Sequence, residues 1–375
     1  MRPSVAIDAN GHLQVTNQFG QVNLPALWLL DNGQGPETKD QGNGQRLIDM
    51  ATYAGDLSIQ DMVTSDAGVQ FTFDQGSSWL SWDFLGGLGA ESKPPYVLFH
   101  RGDLDKLPSI SFTDFMAGDE ASATGGTAFL NWLQGFAAYG FGRIQGGPTE
   151  SGALFKIIEQ FGYVRETNYG RHFEVRTEPN PTNLAYTGLG LPPHTDNPYR
   201  DPVPTLQLLY CLENSATGGE SQVVDGFAAA QALRAAHPSA FDLLTQISVP
   251  FAYSGQSGVH LQAQRPLIEV DERGQLVAVC YNTRSMQPLL PREGLDLAAF
   301  YAAYHQFGQL LNDKAFEVEF ALEAGEAFLV NNRRVLHARA GFKADGHRWL
   351  QGTYADLDGL LSKCRELEAK RAPSA

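Results

Sequence analysis

The sequence is poor in cysteine and in long apolar runs. Its three cysteines, Cys211, Cys280 and Cys364, are too few and too scattered for a disulfide framework or a cysteine zinc site, which fits a reducing cytoplasm. No run approaches the roughly 18 apolar residues that span a membrane, and the first residues, Met-Arg-Pro-Ser-Val-Ala-Ile-Asp, contain no apolar signal core. We therefore expect a cytoplasmic protein without a membrane partner.

Basic residues are also scarce. Lys and Arg total 27 against 42 Asp and Glu, so the formal net charge is −15. A surface of this sign repels phosphates, so no nucleic-acid partner is expected. The charge favours a cationic or neutral small ligand, although solubility alone explains the acidity of many enzymes.

The chain does contain enough apolar sequence for a sizeable core, and many residues that form turns. Hydrophobic residues make up 43% of its 375 positions, which suits one large or two modest domains and excludes wholesale disorder. The 39 glycines and 20 prolines indicate a strand-rich chain rather than a helical bundle.

The chain has two parts with different residue patterns. Residues 1–95 have the pattern of a small antiparallel β domain, with an Asn10-Gly11 turn between two short apolar stretches. A Gly- and Pro-rich passage, 86–95, forms the predicted boundary. Residues 96–375 mix helices with strands; helices are predicted near 129–136, 153–161, 227–244, 295–311 and 357–367, and strands at 201–210, 220–224, 276–281, 316–321 and 327–331.

A short motif and two distant residues have the chemistry of metal ligands. In His194-Thr195-Asp196 the histidine and the carboxylate face the same side of an extended strand, and His337 follows soon after the predicted strand 327–331. Two histidines and one carboxylate form the facial triad of non-haem Fe(II) oxygenases. Arg348, eleven residues further on, can hold a carboxylate bidentately while the other end of that ligand chelates the metal.

Seven longer sequence segments are found along the chain in addition to these residues. They are Leu-Pro-Ala-Leu-Trp-Leu-Leu-Asp-Asn (24–32), Asn-Leu-Ala-Tyr-Thr (183–187), Gln-Leu-Leu-Tyr-Cys (207–211), Thr-Gly-Gly-Glu-Ser (217–221), Val-Asp-Gly-Phe (224–227), Arg-Arg-Val-Leu-His-Ala-Arg (333–339) and Gln-Gly-Thr-Tyr-Ala-Asp (351–356). With them the sequence resembles, over nearly its whole length, the γ-butyrobetaine dioxygenases within the taurine-dioxygenase-like 2-oxoglutarate oxygenases.

The resemblance implies a mainly β fold with α: a double-stranded β-helix (jelly-roll) catalytic domain plus the small N-terminal β domain. It implies that His194, Asp196 and His337 ligate Fe(II). Arg348 would pair with the distal carboxylate of 2-oxoglutarate, and Ser221 would hydrogen-bond the same end. With 2-oxoglutarate and O₂ as co-substrates, oxidative decarboxylation to succinate and CO₂ would accompany hydroxylation of the substrate.

The resemblance also implies a cage for a quaternary ammonium group. The matching rings are Tyr169, Phe173, Tyr186 and Tyr354, whose faces attract a cation that cannot hydrogen-bond. Phe173 departs from the tryptophan found in relatives and weakens the cation–π attraction.

The acid end of the substrate would meet two amides, Asn183 and Asn282. Arg284, close by in sequence, is either a surface charge or a stronger clamp for an anion, which would suit a phosphonate.

The simplest expected reaction is hydroxylation of γ-butyrobetaine to L-carnitine, a step of carnitine biosynthesis. Alternatives are the phosphonate analogue 2-(trimethylammonio)ethylphosphonate and, less favoured, trimethyllysine. An inactive cation-binding homologue would need neither the triad nor Arg348, and a zinc hydrolase would leave Arg348 without a role. The resemblance further implies a homodimer.

One departure concerns zinc. Family members usually hold a structural zinc ion with three cysteines shortly after the position of Asn32, together with a later histidine. This chain has no cysteine before Cys211, so we expect no zinc. The N-terminal domain should depend on an apolar core instead, with Trp28, Phe71, Phe73, Trp79 and Trp82 as its predicted members.

Overall fold

The computed structural model describes most of the chain: residues 2–90, 96–118, 126–176, 189–255, 258–342 and 346–371. Its contacts group the residues into two compact units, 1–93 and 94–375. The boundary that the sequence predicts, at 95/96, adjoins residues 91–95, which lie outside the described part. No helix among the described residues is long and apolar enough to cross a membrane.

The smaller unit contains two three-stranded antiparallel sheets and two short helices. Its elements are β1 (Ser4–Ile7), β2 (Leu13–Asn17), β3 (Gly20–Leu24), α1 (Ala26–Asp31), a 3₁₀ turn (Met50–Thr52), β4 (Ile59–Thr64), β5 (Gly68–Phe73), β6 (Ser77–Ser81) and α2 (Trp82–Gly87). The predicted Asn-Gly hairpin is present as β1 and β2, in which Ile7 pairs with Leu13.

An apolar core holds the smaller unit together. Phe71, Phe73 and Trp82 are buried in it, as predicted, together with leucines and valines of β2, β5 and β6. Trp28 is only partly buried against this cluster. Trp79 is half-buried and does not belong to it.

The larger unit holds the remaining elements. Its strands are β7 (Ser109–Ser111), β8 (Phe141–Gln145), β9 (Phe173–Val175), β10 (Leu191–His194), β11 (Leu206–Asn214), β12 (Ser221–Asp225), β13 (Val249–Tyr253), β14 (Leu261–Arg265), β15 (Ile268–Val270), β16 (Leu276–Val279), β17 (Glu317–Phe320), β18 (Ala327–Asn331), β19 (Val335–Arg339) and β20 (Arg348–Ala355). Its helices are a 3₁₀ turn (Leu104–Lys106), α3 (Phe112–Ala117), α4 (Gly126–Tyr139), α5 (Ala153–Glu159), α6 (Gly226–Ala236), α7 (Pro238–Gln246), α8 (Leu297–Leu311) and α9 (Leu357–Arg371).

Two of its sheets face each other. One has six strands in the order β7-β8-β18-β11-β20-β9, the other four in the order β10-β19-β12-β17. Phe141 and Phe328 of the first sheet meet Phe320 of the second, with ring centroids 5.6 and 5.4 Å apart, inside a buried cluster drawn from both sheets. This closed pair of sheets is the predicted jelly roll, and the predicted fold class is confirmed.

Helices cover the outer faces of both sheets. Leu206, Leu208 and Tyr210 of β11 point away from the jelly-roll interior and pack beneath α3, α4, α5 and α9. Leu336 of β19 does the same beneath α6, α7 and α8. Because strand side chains alternate in direction, the neighbours of these residues point inward, and β19 thereby directs His337 into the interior.

Candidate active site

The three predicted metal ligands come together at one end of the four-stranded sheet. His194 is the last residue of β10 and pairs directly with His337 of the antiparallel strand β19, so the two imidazole centroids are 4.2 Å apart. Asp196 lies two residues beyond β10, with Oδ1 3.4 Å from His194 Nε2. One ligand atom from each residue lies within 4.8 Å of the others. The described residues contain one such cluster.

The protonation states of these side chains suit a divalent cation. Burial raises the pKa of Asp196, but the neighbouring His194 and His337 outweigh this effect, so its pKa lies below the ordinary value. Burial, with His194 nearby, lowers the pKa of His337 to about 3. His194 Nδ1 lies 2.9 Å from the Pro192 carbonyl oxygen; a proton on Nδ1 leaves the Nε2 lone pair for the metal. The donor set therefore fits Fe(II).

Backbone contacts fix the tripeptide between two loops. Asp196 donates its N–H to Asn332 Oδ1 over 2.7 Å, and Asn332 Nδ2 donates back to the Asp196 carbonyl over 2.9 Å. Thr195 donates its N–H to the Tyr281 carbonyl over 2.8 Å. Sequence reasoning missed Asn332; its only signal is a polar residue directly after the apolar strand β18.

The Asp196 carboxylate has two further partners. Gln207 Nε2 and the Tyr354 hydroxyl both donate to Oδ2, over 2.7 and 2.8 Å. Tyr354 was predicted for its ring alone, and Gln207 was not predicted as a site residue. Both come from the six-stranded sheet, opposite the two histidines.

A cavity of about 320 Å³ opens in front of the triad. Its residues divide by chemistry into an aromatic wall and a cationic end. The aromatic wall comprises Tyr169, Phe173, Tyr199, Tyr253 and Tyr354; the cationic end comprises Ser221, Arg284, Arg339 and Arg348.

The aromatic wall contains three of the four predicted cage rings. Phe173 lies 5.3 Å from Tyr354 and 6.1 Å from Tyr169, measured between centroids. Gly352, the cross-strand partner of Phe173, permits this arrangement, because a Cβ there would collide with the Phe173 ring. The fourth ring, Tyr186, lies outside the described residues.

Two further rings, Tyr199 and Tyr253, complete the wall. They stack with centroids 5.1 Å apart, and the Tyr199 hydroxyl donates to Asn197 Oδ1 over 2.8 Å and lies 3.1 Å from that of Tyr169. Burial raises the pKa of Tyr169 and of Tyr199, so both remain neutral phenols. Tyr199 follows the His-x-Asp motif in sequence; Tyr253 ends a strand and carries no local signal.

Three residues of the cationic end, Ser221, Arg339 and Arg348, lie on the strands β12, β19 and β20. Arg348 and Ser221 are buried there, 8% and 4% exposed. A Cβ at Gly219 would lie 3.2 Å from Arg348 Cδ, so the glycine of the Gly-Gly-Glu-Ser segment makes room for the guanidinium. Burial lowers the pKa of Arg348.

Arg339 is a second buried cation that sequence reasoning missed. It stands opposite Ser221 on β19, and both it and Arg348 lie over the Phe342 ring, 5.0 and 5.8 Å from its centroid. Burial and the charge of Arg348 lower its pKa to about 10, so it stays charged at neutral pH. Its signal was the i+2 spacing from His337, which puts both side chains on one face of a strand.

The predicted acid-end residues fall in different places. Asn282 lines the cavity, but Nδ2 donates to the Thr195 carbonyl over 2.9 Å and Oδ1 accepts the N–H groups of Arg284 and Ser285. Its amide therefore holds the loop to the metal motif. Arg284 lines the same cavity, and Asn183 lies outside the described residues.

The chain is similar in sequence to several known dioxygenases. The model of the family "Taurine catabolism dioxygenase TauD, TfdA family" matches residues 120–354. The γ-butyrobetaine dioxygenase of Pseudomonas sp. (strain AK-1) is 32% identical, covering 97% of this chain and 96% of its own. Dioxygenase str8 of Strobilurus tenacellus is 38% identical, covering 92% and 86%. The mitochondrial trimethyllysine dioxygenase of Rattus norvegicus is 27% identical, covering 95% and 85%.

Proposed function

Because the chain belongs to the γ-butyrobetaine dioxygenase branch of the TauD/TfdA family and is a 2-oxoglutarate-dependent dioxygenase, we propose that it hydroxylates a small acid bearing a trimethylammonium group, most simply γ-butyrobetaine to L-carnitine. The observation that carries the proposal is the aromatic wall beside the triad. Tyr354 belongs to that wall and also touches Asp196, so a cation against the rings has its neighbouring C–H bonds close to the metal site.

Each part of the cavity has a separate task in this reaction. Bound iron, with 2-oxoglutarate and O₂, supplies the oxidising chemistry. Arg348 and Ser221 hold the distal carboxylate of 2-oxoglutarate, since a buried guanidinium pairs bidentately with such a group. The rings attract the trimethylammonium group, each contact contributing about 0.5–2 kcal/mol, and they exclude water from the reacting C–H bond.

Arg284 supports an anionic group at the end of the substrate that lies opposite the trimethylammonium group. Its charge lies near enough to contribute to the lowered pKa values of Asp196 and His337. A guanidinium in this position suits a carboxylate, and suits the greater charge of a phosphonate still better. The phosphonate analogue is therefore the second candidate, whereas trimethyllysine would need contacts for its amino-acid end.

Substrate-dependent turnover tests the proposal. Protein reconstituted with Fe(II) is given 2-oxoglutarate and, in turn, γ-butyrobetaine, 2-(trimethylammonio)ethylphosphonate or trimethyllysine, and succinate and the hydroxylated product are measured by mass spectrometry. We expect γ-butyrobetaine to give the highest kcat/KM. γ-Aminobutyrate, the same acid without methyl groups, is the matched control and should give background succinate only.

The outcomes of this experiment are distinct. A higher kcat/KM on the phosphonate would identify the phosphonate, rather than γ-butyrobetaine, as the preferred substrate. Turnover of no trimethylammonium compound, with basal 2-oxoglutarate decarboxylation intact, would refute the substrate class but not the oxygenase chemistry.

Substitution of Arg284 tests its role as the clamp for the acid. Arg284→Met should raise KM for γ-butyrobetaine roughly 10- to 100-fold, since a hydrogen bond to a charged group contributes about 1.5–3 kcal/mol, and should change kcat little. Arg284→Lys keeps the charge and should recover part of the loss. Unchanged KM in Arg284→Met, measured by steady-state succinate release, would assign Arg284 to the surface instead.

Three finer expectations accompany the proposal. We propose that the protein works in the cytoplasm, as its sparse and scattered cysteines suggest, and as a homodimer, as its family suggests. We also propose that the smaller unit needs no zinc, since the buried apolar cluster around Phe71 stands in a segment that has no cysteine.

A further inference from the structure

We propose that Gln207 and Tyr354 form a positioning pair, which holds Asp196 so that a single oxygen, Oδ1, faces the metal and thereby sets the affinity for the metal. The proposal depends on the metal site of the family and not on which substrate is hydroxylated. Both residues act through Asp196, so they are positioning residues rather than metal ligands.

The two donors are built into the sheet as a unit. Gln207 of β11 and Tyr354 of β20 are directly opposite cross-strand partners, 2% and 5% exposed. Such partners have their Cβ atoms about 4.5–5.5 Å apart, which allows both side chains to converge on one atom. They meet at Oδ2 of Asp196, over 2.7 and 2.8 Å.

This convergence distinguishes the two carboxylate oxygens. An ionised carboxylate oxygen offers about two lone-pair sites, and two donors occupy those of Oδ2. Oδ1 lies 3.4 Å from His194 Nε2, and Oδ2 lies 3.9 Å from His337 Nε2. Both oxygens are therefore near a histidine, but the two donors occupy only Oδ2. The carboxylate is therefore prepared to give the metal one oxygen, which keeps coordination positions open for co-substrates.

The amide of Gln207 points to the same role. Its Oε1 is buried and has no hydrogen-bond partner in the described structure, which is unfavourable because burial has removed this oxygen from water. If the amide were flipped, Oε1 would face the Asp196 carboxylate and be repelled by it. The hydrogen bond to Asp196 therefore keeps the amide in the orientation that leaves Oε1 unpaired. A residue selected for stability alone would not leave a buried carbonyl oxygen unpaired.

Metal titration of purified protein tests the pair, with Mn(II) as a redox-inert probe. Tyr354→Phe removes one hydroxyl and keeps the ring beside Phe173, and Gln207→Leu removes the amide. We expect each to weaken Mn(II) binding about 10- to 100-fold, the usual effect of losing a partner of a metal ligand. Mn(II) dissociation constants are measured by calorimetry and apo melting temperatures by circular dichroism.

Two matched variants serve as controls. Tyr210→Phe removes a buried hydroxyl on the outer face of β11, where it donates to the Pro148 carbonyl. Gln222→Leu removes a buried amide that donates to Glu317 and Glu319. Neither contacts the triad, so both should bind Mn(II) as the wild type does.

The stability measurement separates positioning from a structural role. Gln207→Leu should melt close to the wild-type temperature while binding Mn(II) more weakly, because removal of the unpaired buried oxygen offsets loss of the hydrogen bond to Asp196. Unchanged Mn(II) affinity in Tyr354→Phe, or in a Gln207 variant that folds, would overturn the proposal, and so would an equal loss in the controls. If Gln207→Leu does not fold, Gln207→Met replaces it; Tyr354→Phe is decisive if neither does.

Discussion

His337→Ala is expected to bind no stoichiometric iron and to lose substrate-dependent decarboxylation of 2-oxoglutarate by more than about 100-fold. Losing a mere partner of a metal ligand already costs about 10- to 100-fold, and this change removes one of three ligands. Only His194 and Asp196 would remain to bind the metal. Because the strand β19 is buried and its backbone pairing with β10 does not use the imidazole, the variant should still fold.

The measurements are metal content after reconstitution and succinate release. His305→Ala, which changes an exposed histidine on α8, is the matched control and should match the wild type in both. The same metal analysis should find iron and no zinc in the wild type. Full iron occupancy in His337→Ala would contradict the assignment of the triad.

Arg334→Met is expected to lower the free energy of unfolding by about 3–5 kcal/mol. Arg334 and Asp225 form an ion pair of 2.8 Å with side chains 2% and 0% exposed. Removing one partner of a buried pair leaves an uncompensated charge, which accounts for this magnitude. Arg334 also donates to the Ala138 carbonyl over 2.7 Å, and this hydrogen bond would be lost as well.

Urea unfolding followed by circular dichroism, with chelator present in every sample, provides the measurement. Arg333→Met is the neighbouring control: its pair with Glu269 spans 3.1 Å at side chains 35% and 29% exposed, and exposed pairs contribute only about 0–1 kcal/mol. Equal losses in the two variants would show that burial of the Arg334 pair does not matter.

The strands were predictable from sequence where local patterns determine them. The apolar run 327–331 coincides with β18, and the wholly buried strand β12 was predicted within one residue at each end. The strand predicted from residue 201 begins only at Leu206. Pro202 and Pro204 precede it, and neither has an N–H for the ladder.

Site residues were predictable where the residue types and their spacing together indicate a chemical role, as the His-x-Asp motif indicates metal binding. Gln207, Asn332 and Tyr253 have no such signature. They reach the site through cross-strand register and loop closure, which depend on the whole sheet. Tyr354 shows the same limit, since resemblance assigned its ring while the partner of its hydroxyl required the pairing of β11 with β20.

The direct pairing of His194 with His337 also bears on how the protein folds and unfolds. The two ligands lie far apart along the chain, and they meet only when β10 and β19 have joined. We expect this non-local step to come late in folding, because its loop entropy is large. Metal therefore binds only the finished sheet and draws the equilibrium towards it. Its effect should appear in the unfolding rate, while the folding rate stays nearly the same with or without iron.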